Sequence, residues 1–313
     1  MKKLLSITLA LTLALILALS GAALAEGLSV DSLTVTYVTS PLNVPSIVEK
    51  EGSVFEKTLG VPVSYAEINS GADQTQALAS GDVQLLYAVG GTSIILSAAN
   101  GADIKVLNMY SRAPKAFCMY STDESLTTPE SLKGKTIAGP AGTNLHELLV
   151  AYLKTANMTI DDVNYVSMGI PESKAALDGG SVDVALLGGA AAYNASKQGY
   201  HLITDGEGLI KAIIAVTVRQ DFYDAHPDVI EKILEAQRAI MADIEADPEA
   251  AFAAAAKYLD LDVEAVKEMY ACYDFSLDIS DADVAGFQKT ADFMYESGMI
   301  EEPYDVSALF FEK

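Results

Sequence analysis

The chain has 313 residues, half of them hydrophobic, with 43 acidic side chains against 20 basic ones and a formal net charge of −23. A field of that sign argues against nucleic acid and anionic membrane surfaces as partners, and the length suits two lobes of ordinary domain size better than one core. Two cysteines, Cys118 and Cys272, and three histidines, His146, His201 and His226, show no metal-ligand spacing, so no metal site and no cofactor is expected.

In chain order, Lys2 and Lys3 precede an apolar run over 4–19, and the small residues Ser20, Gly21, Ala22 and Ala23 follow. This is the pattern of an export signal, too short for a comfortable membrane span, and Ala23-Leu24-Ala25 supplies a small-x-small cleavage site. Residues 1–25 are therefore expected to be removed, and with no cysteine near the cut the mature chain is expected to be periplasmic or extracellular without a lipid anchor. Oxidation is permitted there, and whether Cys118 and Cys272 pair stays open.

From Ser32 onward short β-rich runs alternate with helical ones, the signature of an α/β fold. Strands are predicted at 33–38, 61–66, 83–88 and 104–110, with helices at 45–59, 71–80 and 92–100. A polar connection over 121–135 leads to a second round, with strands at 136–138, 163–167, 182–187 and 200–204 and helices at 144–156, 173–178 and 191–198. One pattern occurs twice: helix end, glycine, strand, then a diglycine before a helix, ending in Gly90-Gly91 and again in Gly188-Gly189. The repetition argues for two lobes of related construction.

After a strand at 213–219 the chain is mostly helical. His226-Pro227 opens a helix whose Val229, Ile230, Ile233, Ile240, Met241 and Ile244 make one buried face, and helices from Pro248, over 263–273 and over 281–297 are expected to complete the first lobe.

No nucleophile elbow, phosphate loop or dinucleotide fingerprint occurs, so catalytic residues are not assigned. What recurs is a turn of small polar residues between a strand and a helix: Asn69-Ser70-Gly71, Gly90-Gly91-Thr92-Ser93, Ala141-Gly142-Thr143-Asn144 and Gly188-Gly189. Free amides at a helix amino end carry partial positive charge, and the carboxyl edge of an open α/β sheet is where ligands bind. Each Ser, Thr or Asn alone reads as a plain cap. Four turns facing one crevice would cradle an anion. Arg112, at the end of a strand, reads equally as a cation reaching the cleft or as half of a surface ion pair.

Several stretches taken together are similar to the nitrate, sulfonate and taurine group of ABC transporter substrate-binding proteins, which is also described as like the thiamine-precursor synthases. They are the loop from Tyr37 to Ser46, Gly52-Ser53-Val54-Phe55-Glu56-Lys57, Ser70-Gly71 through Ala77-Leu78-Ala79-Ser80-Gly81, and Ala98-Ala99-Asn100-Gly101. Further on come Ser131-Leu132-Lys133-Gly134-Lys135-Thr136-Ile137-Ala138, Gly142-Thr143, Asp205-Gly206-Glu207-Gly208 and Arg219-Gln220-Asp221-Phe222 with Ala225-His226-Pro227.

The resemblance implies a periplasmic-binding-protein type II fold, two α/β lobes joined by two crossover strands near 114–119 and 213–218. Lobe I would be 26–114 and 214–313, and lobe II 115–213. It also implies a ligand site at Ser40, Pro41, Leu42, Asn43, Ser70, Gly71, Gly91, Thr92, Gly142, Thr143 and Asn144, to which the turn reading adds Gly188, Gly189 and Arg112. The implied function is the binding of a small organic anion by a monomeric, non-catalytic protein that delivers it to a membrane permease. A heterocycle-binding protein and a pyrimidine-synthase-like enzyme are the alternatives. The enzyme fits poorly because it looks to a cysteine-rich motif. Where many members carry Trp-Asp-Pro, this chain has Gly188-Gly189-Ala190 and no tryptophan, which implies a plain sulfonate or carboxylate ahead of taurine.

Overall fold

The computed structural model describes residues 28–39, 42–68 and 70–311. The export signal read at 1–25 and the site residues Ser40 and Pro41, with Asn69 of the first turn, lie outside the described residues.

Strand β1 (Leu33–Tyr37) pairs in parallel with β2 (Val63–Glu67), Leu33 opposite Val63 and Tyr37 opposite Glu67. Strands β3 (Leu86–Gly90), β10 (Ile213–Val218) and β4 (Lys105–Arg112) form an antiparallel sheet with β10 in the centre. The two sheets join through the residues leading into β3: Gln84 N–H donates to Thr34 O at 2.9 Å and Thr36 N–H to Leu85 O at 3.0 Å. A separate sheet runs β7 (Asn164–Ser167), β6 (Thr136–Gly139), β8 (Val184–Gly188), β5 (Phe117–Ser121), β9 (His201–Asp205), with β5 antiparallel to both neighbours. Every residue of β8 and β10 is buried, which explains their unbroken apolar sequences: helices cover both faces, so no alternation is needed.

The chain crosses between the sheets twice, at 113–116 and 206–212. Both segments expected as crossovers, 114–119 and 213–218, prove to end in sheet strands, β5 and β10, and the passages are the residues just before them. Gly206 ties the two passages together. Its amide lies 3.2 Å from Pro114 O and 3.0 Å from Phe117 O, and a Cβ there would meet Pro114 O at 2.6 Å.

The helix read over 45–59 is two, α1 (Val44–Gly52) and α2 (Val54–Leu59), because Ser53 takes a left-handed conformation at φ 48° and its amide turns back to Glu49 O and Lys50 O. Helices α3 (Gly71–Ser80), α4 (Gly91–Ala99) and α5 (Asn144–Lys154) fall where predicted. Helix α6 (Ile170–Asp178) begins three residues earlier than read, with Pro171 in its first turn, and α7 (Gly189–Lys197) begins directly at the diglycine.

The short α8 (Gln220–Ala225) escaped the sequence reading. It leads to α9 (Pro227–Ala246), which buries Val229, Ile230, Ile233, Ala236, Gln237, Ile240 and Ile244, and Met241 is only half-buried. Helices α9 and α10 (Pro248–Leu259) pack on α2 and α1, α11 (Val263–Tyr270) leans on α10 and α7, and α12 (Asp281–Glu296) packs on α4 and β10. Both cysteines are free, Cys118 buried and Cys272 exposed. Among the described residues no helix is long and apolar enough to cross a membrane.

Candidate functional site

The carboxyl ends of β1, β3, β6 and β7 open into one cleft of about 540 Å³, which is the edge where an open α/β sheet presents loops and helix starts. Into it point the amino ends of α1 through Asn43, α3 through Ser70, Gly71 and Gln74, α4 through Gly90 and Ser93, α5 through Thr143, Asn144 and Leu145, and α6 through Gly169, Ile170, Pro171 and Glu172. Phe117 and Ile214, each beside a passage between the sheets, complete the lining.

Four of these five amino ends have no side-chain cap; only at α3 does a hydroxyl, that of Ser70, accept from a first-turn amide, Asp73 N–H at 3.3 Å. At α5 the N-cap Thr143 turns its hydroxyl the other way, donating to Pro140 O at 2.8 Å. Ser46 N–H of α1 donates to Tyr110 Oη at 3.1 Å, and Pro45 and Pro171 have no N–H to offer; the other first-turn amides of these four ends meet no side-chain acceptor among the described residues, and they carry the positive end of the helix dipole.

Asn43 Nδ2 donates to Val38 O at 2.8 Å, which fixes its amide, and Asn43 Oδ1 and Gln74 Oε1 are buried without a partner among the described residues. Buried acceptors left unmatched cost about 1–3 kcal/mol each, a penalty that a ligand with N–H groups would relieve. Glu172 is the one charged side chain among the described lining residues, and no lysine, arginine or histidine is among them. His146, in the first turn of α5, accepts from Gly142 N–H at 3.2 Å and stacks on Tyr165 at 4.9 Å, and burial holds its pKa below the usual histidine value.

The cleft thus brings together Asn43, Ser70, Gly71, Thr143 and Asn144 of the predicted set. Gly142 lies just behind it, its carbonyl accepting from Ser93 Oγ at 2.8 Å. Leu42 is fully buried in the core, and Gly91 faces Phe287 and the Ile213 carbonyl rather than the cleft. Thr92 is fully buried, its hydroxyl bridging to Asn144 and Glu147 of α5.

Arg112 is held elsewhere. It grips Asp283 with two bonds of 2.7 Å and also donates to Ser276 O and Asp278 O, so of its two readings the ion pair is the one formed. Gly188 is buried in β8, and Gly189 lines a second hollow of about 190 Å³ with Cys118, Tyr120 and Cys272. Side chains alternate along β5, so Phe117 reaches the cleft while Cys118 and Tyr120 reach that second hollow. The diglycine start of α7 therefore opens away from the cleft.

In its place stands the start of α6, which the sequence reading put at Ser173. The signal was present in Gly169-Ile170-Pro171-Glu172, a proline and an acid suited to a first helical turn. Gln74 was also missed, and of the turn Gly90-Gly91-Thr92-Ser93 the residues carried into the site were Gly91 and Thr92 where Gly90 and Ser93 line the cleft, since nothing in one sequence says which face of a helix start meets a cavity.

A family model described as "NMT1/THI5 like" matches residues 43–251. The taurine-binding periplasmic protein of Escherichia coli (strain K12) is 30% identical over 204 residues, covering 64% of this chain and 62% of that protein. The chain therefore aligns to somewhat less than two thirds of that relative's length. A putative aliphatic sulfonates-binding protein of Bacillus subtilis (strain 168) is 26% identical over 270 residues, 84% of this chain and 81% of that one. Among solved structures, the alkanesulfonate-binding protein SsuA from Xanthomonas axonopodis pv. citri bound to MOPS superposes with a TM-score of 0.82 at 20% identity, covering 91% of this chain and 99% of that one. The shared fold is that of the periplasmic binding proteins.

Proposed function

This chain belongs to the NMT1/THI5-like family, and on that premise we propose that it is the extracytoplasmic solute-binding component of an ABC importer, taking a small organic sulfonate and delivering it to a membrane permease. The observation that carries this reading is the convergence of uncapped helix amino ends on a cleft with no cation among its described lining residues. A sulfonate stays ionised and asks only for donors, and oriented amides supply them without the tight hold of an arginine or lysine pair. Relatives and fold neighbours named for taurine and alkanesulfonates support the same class.

We take 26–114 and 214–313 as lobe I and 115–213 as lobe II, with residues 1–25 as the export signal. The ligand enters between the lobes, the two passages flex, and the closed form docks on the permease as a monomer. No bond is made or broken in that cycle, so we assign no enzymatic activity. The fourth turn, at Gly188-Gly189, drops out of the proposed site and the start of α6 enters it. The unmatched acceptors of Asn43 and Gln74 and the carboxylate of Glu172 then offer partners for a ligand ammonium, which restores taurine beside plain sulfonates.

Thermal unfolding of the mature protein with taurine, methanesulfonate, nitrate, acetate and riboflavin tests this. A ligand held only by the native state raises the midpoint, by about 2.7 kcal/mol of stability at a hundredfold excess over its Kd. A shift with a sulfonate and none with acetate or riboflavin is expected. A shift with riboflavin alone would replace the sulfonate by a heterocycle.

A further inference from the structure

Glu147 closes the first turn of α5, three residues on from the cleft-lining Asn144, and is buried against Thr92 of α4 and Thr290 of α12. Thr92 Oγ1 stands 2.8 Å from Asn144 Oδ1 and 2.7 Å from Glu147 Oε2. A threonine hydroxyl has one hydrogen to donate, so it serves one of these oxygens and must accept from the other. Asn144 cannot supply the second hydrogen: its Nδ2 donates to Ile213 O at 3.3 Å, and turning the amide over would bring two carbonyl oxygens together.

The remaining hydrogen has to come from Glu147. We infer that Glu147 is a carboxylic acid in the native protein, and that its proton orders a chain from Glu147 through Thr92 to Asn144, which positions Asn144 in the cleft. Glu147 donates to Thr92, Thr92 to Asn144, and Asn144 to Ile213 O, while Thr290 of α12 donates to the other carboxyl oxygen at 3.2 Å.

Among the described residues no cation is placed to hold Glu147 ionised. Of the elements packed on α5, α4, β8 and β10 carry no titratable residue, β5 brings Cys118 and Tyr120, and the turns Pro129–Leu132 and Ile160–Asp162 bring Glu130, Asp161 and Asp162. On α12, which reaches Glu147 through Thr290, Asp283 is taken by Arg112, Asp292 by Gln288 and Glu296 by Lys154 of α5, and Lys289 is exposed. His146, Tyr152 and Lys154 are the other titratable groups of α5 itself. Burial pushes the Glu147 acid above the ordinary carboxyl value, against the opposing bonds from Thr92 and Thr290.

Ionising Glu147 would turn Thr92 toward it, release Asn144, and place a negative charge in the early turns of a helix whose field a bound anion also needs. This link to the anion rests on the proposed function, whereas the proton itself does not. Glu147→Gln is the decisive variant, since its amide mimics the acid at every pH.

Two measurements need no ligand. The infrared carbonyl band of protonated carboxyls near neutral pH is expected to be weaker in the variant, which keeps only the contribution of Glu49, than in the wild-type protein; no difference between the spectra overturns the inference. Because a folded-state acid raised above its unfolded value loses its stabilisation as pH rises, the unfolding midpoint of Glu147→Gln should gain on wild type as pH rises above the ordinary carboxyl range. A midpoint difference that stays flat also overturns it.

With taurine or methanesulfonate, wild-type affinity should fall about tenfold over the same rise in pH while the variant stays at the acid-limb value. Sulfonate affinity that is indifferent to pH sinks the link to the anion. Failure of every sulfonate to bind would remove the importer reading and leave the band and the midpoints to decide the proton.

Discussion

Arg112 directs its donors inward: two to Asp283, others to the carbonyls of Ser276 and Asp278. Burial opposes the charge on Asp283, yet Arg112 and the hydroxyl and amide of Ser280 outweigh it and hold the acid at about 2. Asp283 in turn caps α12 by accepting from Ser280 N–H at 2.8 Å, so one guanidinium fixes the helix start, the strand β4 and the chain between them. Arg112→Met should cost about 2–4 kcal/mol of stability, because it leaves a mostly buried carboxylate unpaired. Its affinity for taurine should match wild type, since Arg112 does not line the cleft; a combined denaturant and binding titration reads both.

At the scale of elements, the cleft depends on how closely α3 and α4 approach. A Cβ on Gly71 would overlap Ser93 Oγ, and Ser93 uses that oxygen to hold Gly142 O across the cleft floor. Gly71→Ala should therefore swing Ser93 away, weaken ligand binding about tenfold and cost about 1–3 kcal/mol through overpacking. Adding Ser93→Gly removes the overlap, so in a double-mutant cycle the pair should be more stable than the sum of the single changes; strict additivity would mean that the two helices do not press on each other there.

At this scale the sequence read well wherever periodicity and punctuation agreed. Helix α3 was predicted to the residue because Ser70 and Gly81 mark its ends. It read poorly at α1 and α2, since Gly52 at the break keeps a helical conformation and the left-handed turn falls instead on Ser53, a residue that rarely adopts it. The start of α6 was missed for a different reason: Ile170 and Pro171 sit ahead of the segment's most helical residues, and only their place beside the cleft gives them weight.

For the whole molecule, stability should decline as pH rises through the acid side of neutrality. Glu49 is buried, and desolvation raises its acid from 4.5 to about 7 despite bonds from Tyr65 Oη at 2.8 Å and Phe55 N–H at 3.2 Å. The native state thus keeps a proton that the unfolded chain has already released, so the contribution of Glu49 to stability falls between 4.5 and about 7 and levels off above. Glu49→Gln should flatten that slope and be the more stable form at about pH 8, by about 2 kcal/mol. Unfolding midpoints of both proteins across the interval check the sign.

The order of strands and helices, the acidic composition and the small polar turns at helix starts are legible in the residues alone, because each follows from residues close together in the chain. The tertiary structure alone decided which turns share a cleft. Gly188-Gly189 and Gly90-Gly91 are alike in sequence, yet the first opens behind β5 onto a second hollow while the second sits at the cleft, a difference set by strand order and by the side-chain alternation of β5. The partners of Arg112 and Glu147 lie 171 and 143 residues away in the chain, and no local pattern carries information over that distance. Burial and hydrogen-bond supply, which fix whether a charged side chain faces a ligand or the protein, exist only once the chain has packed.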